Sequence, residues 1–82
     1  MKNIDFVYAY EVKFRAWGAD APATEYYSNK TNATSAKARL ENEGMLVDDI
    51  RKVKISVSWL RNARPDAIKD ASDALLDLIW RT

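Results

Sequence analysis

The chain is 82 residues long, with 13 Lys+Arg against 12 Asp+Glu, no His, no Cys and a formal net charge of +1. That is enough for one small domain, residues 1–82, and it excludes disulfides, sulfur-ligated zinc, a thiolate nucleophile and an imidazole base near neutrality. Gly18 and Gly44 are too few for a phosphate-cradling loop, and no apolar run approaches the roughly 20 residues that a bilayer span needs.

The opening Met1-Lys2-Asn3-Ile4-Asp5 lacks the apolar core of a signal peptide, so a cytoplasmic chain is expected. Ile4, Phe6, Tyr8, Tyr10, Val12, Phe14 and Ala16 fall on every second position, with Asp5, Glu11, Lys13 and Arg15 between them. This alternation predicts a long strand whose even positions face the core, although Val7 and Ala9 interrupt its polar side. Trp17 and Gly18 end it, and residues 18–24, which include Pro22, have turn chemistry. A short second strand is expected over 24–28, with Tyr26 and Tyr27 pointing to opposite sides and one of them exposed. A helix should then begin between Thr31 and Thr34 on a hydroxyl or amide cap, bury Ala33, Ala36 and Leu40, and end at a left-handed Gly44.

Met45 to Asp49 reads as a connection. Val53, Ile55, Val57 and Trp59 alternate with Lys52, Lys54, Ser56 and Ser58, which predicts a third strand. Pro65 suits a first helical turn, and Ile68, Ala71, Leu75, Leu78 and Ile79 mark the buried stripe of a last helix over 65–80. A crossover helix between strands two and three gives an α+β fold: a three-stranded antiparallel sheet of order 2-1-3 with two helices on one face. On this reading Phe6, Tyr8, Tyr10, Phe14 and Trp59 are core residues.

Charge is segregated along the chain. Asp66, Asp70, Asp73 and Asp77 recur at spacings of four, three and four residues, so one helix would carry them within about 60° of arc, with Trp80 at the border. Functionally this is a carboxylate row for a basic protein partner; structurally it is the solvated back of an amphipathic helix. Carboxylates on one helix do not converge on a metal ion, and neither a metal nor a cofactor is expected. The second surface is basic: Lys13, Arg15, Lys52 and Lys54 would share the outward sheet face with Trp17, a platform able to stack bases and hold phosphates. The competing reading is a solvated face whose lysines discourage aggregation. Two N-x-Thr sequons, at Asn29 and Asn32, are expected to be chance matches, since no secretory signal is expected.

In size, in the absence of Cys and His, in its segregated charge and in the segment Thr34-Ser35-Ala36-Lys37-Ala38-Arg39-Leu40 between short strands, the chain resembles the small accessory proteins of phages, including anti-CRISPR proteins. The resemblance implies a non-enzymatic inhibitor that binds a host or defence protein. The sequence thus points first to a protein-interaction module using Asp66, Asp70, Asp73, Asp77 and Trp80. A nucleic-acid binder using Lys13, Arg15, Trp17, Lys52 and Lys54 is the alternative, and an assembly protein burying Trp17 or Trp80 in an oligomer is the third reading.

Overall fold

The computed structural model describes residues 5–62 and 67–81, with positions 78, 80 and 81 described by backbone alone. Its elements in chain order are β1 (Phe6–Arg15), β2 (Ala23–Tyr27), α1 (Lys30–Asn42), β3 (Leu46–Val47), β4 (Arg51–Ser56), α2 (Val57–Asn62) and α3 (Asp73–Arg81). The fold is α+β, and the sheet is antiparallel with order β2-β1-β3. β4 pairs β1 along the same edge as β3. The pairs Phe14↔Val47 and Glu11↔Arg51 show why two short strands replace one: the outer chain takes four steps where β1 takes three. One extra residue within 48–50 therefore interrupts the edge strand as a bulge does.

β1 is central, and its alternation places residues of opposite parity on opposite faces. Val7 and Ala9 join Ile55, Val57, Leu60, Ile68 and Ile79 in one buried cluster, under α2 and α3. Val12 joins Tyr27, Ala33, Ala36 and Leu40 in a second, under α1. The helices thus divide between the two faces of the sheet, where a single covered face was expected. The register explains this. β1 and β4 pair residues of like parity, Val7 with Ile55 and Ala9 with Val53, so the aliphatic positions of both strands meet on the odd face. The aromatic even positions are left to α1, and it covers only the later half of β1.

Local chemistry sets the boundaries. Trp17 and Gly18 form the middle of a turn closed by the Ala19 N–H on the Ala16 carbonyl, and Gly18 takes φ +78°. The Asn29 side chain caps α1 by accepting from the Asn32 N–H at 2.8 Å. At the other end Gly44 (φ +87°) donates to the Glu41 carbonyl and Met45 to the Leu40 carbonyl, the paired bonds of a Schellman ending. The Gly44 ending matches the sequence reading, whereas the start lies earlier than the expected Thr31–Thr34, because the Asn29 amide caps the helix first. The third expected strand stops early because the Ser56 hydroxyl accepts from the Trp59 N–H at 3.2 Å and starts α2. Trp59 is therefore 44% exposed on a helix and not a core strand residue. Tyr26 is half-buried and Tyr27 buried, so neither is the exposed tyrosine expected of β2. Burial, and then the Glu25 carboxylate that accepts from its hydroxyl at 2.6 Å, push the Tyr27 phenol up to about 12, against the opposing pull of Arg39.

The last helix is shorter than expected. Ser72 caps it by accepting from the Leu75 N–H at 3.2 Å, so it begins at Asp73. Residues 67–71 instead run beside β2: Tyr26 and Ile68 form a parallel bridge, and the Lys69 N–H donates to the Tyr26 carbonyl at 2.8 Å. Arg61 of α2 donates from Nε and Nη2 to the Ile79 carbonyl at 3.1 and 2.8 Å, placing a cation near the negative end of α3. Among the described residues no helix is long and apolar enough to cross a membrane.

Candidate functional site

Each face of the sheet is covered over half its length, and the two open halves differ. On the even face the open half carries Phe6 and Tyr8, which are 40% and 52% exposed on the central strand. The register sets Lys54 opposite Tyr8 and Lys52 opposite Tyr10, so both lysines stand on the side of the rings. Lys54 Nζ lies 4.5 Å from the Phe6 ring centroid and 6.0 Å from that of Tyr8, and Lys52 Nζ lies 4.7 Å over Tyr8. The two rings meet edge to face at 5.4 Å. The strand positions of this half are Phe6, Tyr8, Lys52, Lys54 and Ser56; none is acidic.

The open half of the odd face is electrically mixed. Glu11 sits opposite Arg51. Lys13 and Arg15 line an open depression of about 230 Å³ whose wall also holds Asp20 and Asp48. Arg15 Nη1 donates to the Ala19 carbonyl at 3.4 Å. Trp17, 79% exposed, lies in the turn that follows β1, at the far end of that strand from Phe6. The expected basic face is therefore split. Lys52 and Lys54 stand on one side with Phe6 and Tyr8, whereas Lys13 and Arg15 stand on the other, because the like-parity register opposes their positions.

The acidic row is also broken up. Asp70 lies before α3, where its carboxylate accepts from the Ser28 N–H, the Ser28 hydroxyl at 3.0 Å and the Asn32 side-chain amide. It fastens the 67–71 segment to the junction of β2 and α1. Burial raises its pKa, but these hydrogen bonds outweigh it and hold the carboxyl below its ordinary value. Asp73 and Asp77 remain one turn apart and exposed on α3. Asp66 and the Trp80 side chain lie outside the described residues. Among the described residues, no three His, Cys, Asp or Glu side chains gather closely enough to hold a metal ion.

Phe6 and Tyr8 are the site residues that sequence reasoning missed. The available signal was Val7 and Ala9: two aliphatics on the polar side of β1, matched by Val53 and Ile55 on β4. Comparison with protein-family models, with curated proteins and with solved structures finds no match.

Proposed function

We propose that the chain is a non-enzymatic binding module that engages an anionic macromolecular partner through Phe6, Tyr8, Lys52 and Lys54. One observation carries this reading: two rings stand in water on the central strand, with an ammonium held over each. Large rings with little conformational freedom are the usual anchors of macromolecular contacts, and neighbouring cations add attraction and orientation for an anionic surface. The group contains no nucleophile poised beside a base, so it suits recognition and not bond-breaking. The acidic-helix reading is weaker, since Asp70 already serves the protein's own Ser28 and Asn32. An inhibitory role like those of phage accessory proteins fits a module that acts by occupying a surface.

An amide-resolved NMR titration with a heparin fragment and, separately, with polylysine tests this reading. Heparin is expected to shift the amides of residues 6–8 and 52–54, while polylysine leaves α3 unmoved. Shifts confined to Asp73–Asp77 with polylysine, and none on the sheet with heparin, would sink it.

A further inference from the structure

Resting on that reading of the site, we infer that its anionic partner is a single-stranded nucleic acid, with bases stacked on Tyr8 and Phe6 and phosphates held by Lys52 and Lys54. Two other surfaces lack the needed combination. The depression beside Lys13 and Arg15 includes Asp20 and Asp48, which oppose an anion. The hollow beside Tyr27, Asn32 and Arg39 includes Asp70, whose carboxylate is already engaged, and Arg39 already contacts Glu25 at 3.3 Å.

The platform is different in kind. Its two rings are two positions apart on one strand, which is about 7 Å along the chain, and both emerge on the same face. Aromatic rings exposed on a sheet face can serve as platforms on which unpaired bases stack. The ammoniums now resting over the rings do not block this. An exposed ammonium–ring contact is among the weaker attractions, and stacking of a base on an aromatic exceeds it. A lysine displaced from its ring has four methylenes of reach with which to meet the phosphate of the arriving nucleotide. Duplex DNA cannot use the rings, because its bases are stacked on one another.

The test is fluorescence anisotropy with labelled oligo(dT) of about 12 nucleotides, within the usual range of site sizes, a duplex of equal length, and labelled polyglutamate. Oligo(dT) is expected to bind more tightly than the duplex. With two phosphates neutralised, the slope of log K against log salt is about −1.4, so affinity falls about sevenfold between roughly 50 and 200 mM salt. Tyr8→Ala should weaken binding about tenfold while Tyr8→Phe preserves it, and Lys52→Ala with Lys54→Ala should flatten the salt slope. Polyglutamate binding that the same variants weaken, without oligo(dT) binding, overturns the nucleic-acid inference and leaves the platform standing. Equal binding of oligo(dT) and duplex, indifferent to Tyr8→Ala but lost with the lysines, overturns the single-strand inference and removes the rings from the site, leaving a contact of charge alone. Binding indifferent to every variant, or none to any probe, overturns both. Tyr8, Lys52 and Lys54 are exposed, and circular dichroism checks that their variants remain folded.

Discussion

Asp70 shows how one residue can change roles between sequence and structure. Its spacing from Asp66, Asp73 and Asp77 makes it a member of a helical stripe, yet three donors from Ser28 and Asn32 draw it into a long-range fastening. Those donors lie about 40 residues away in the chain, a separation the spacing of aspartates does not encode. Asp70→Asn replaces the carboxylate with an amide that accepts through one oxygen only, and should cost about 1.5 kcal/mol at neutral pH. The sign with pH follows from the lowered pKa. The carboxylate's contribution is fully present above the unfolded-state value and is lost as pH falls through the lower folded-state value. Urea melts of both proteins across the acid range should converge at the low end; a gap independent of pH contradicts this role.

At the scale of elements, α1 was legible in its Ala33-Ala36-Leu40 stripe and its glycine ending, which are local signals, but not in its start, where Asn29 caps ahead of the several other polar residues that could have done so. Gly44 adopts φ +87° with open space where a Cβ would project, so the cost of a side chain there is conformational alone. Gly44→Ala should therefore lose about 1 kcal/mol and Gly44→Asn less, measured by thermal or denaturant unfolding. β1 was legible as a strand but not in its orientation. Both of its faces are apolar at the start, aromatic at Phe6 and Tyr8 and aliphatic at Val7 and Ala9. Alternation counts both as hydrophobic; only the partner strand decides which turns inward. Here the smaller side chains let α2 and α3 close over the sheet, while the rings have lysines as neighbours. Ser56 and Ser72 carried the remaining boundaries. Each was readable as a helix cap, but each lay inside a longer run of apolar periodicity.

The whole molecule is elongated, 47 × 25 × 17 Å, because its two interiors lie on opposite faces and toward opposite ends of β1. They share that strand but no buried side chain. Ile79→Val in the first should cost about 1 kcal/mol and Leu40→Ala in the second about 3 kcal/mol. The double variant should lose their sum to within about 0.5 kcal/mol, as separate sites do. A clear departure from additivity in chemical unfolding would show that β1 transmits packing from one side to the other. The class and strand order followed from the order of elements; the division into two interiors needed the strand register, which depends on contacts far apart in sequence.

Among the described residues β4 pairs only with β1, so its outer rim offers backbone donors and acceptors to whatever approaches. Lys52 and Lys54 are exposed on this strand, and like charge on a rim keeps identical molecules from zipping together side by side. Any polyanion that binds there neutralises these two ammoniums but brings an excess of its own charge to a chain of net charge +1. Repulsion between occupied molecules then comes from the ligand, and the rim is guarded by a charge of the opposite sign.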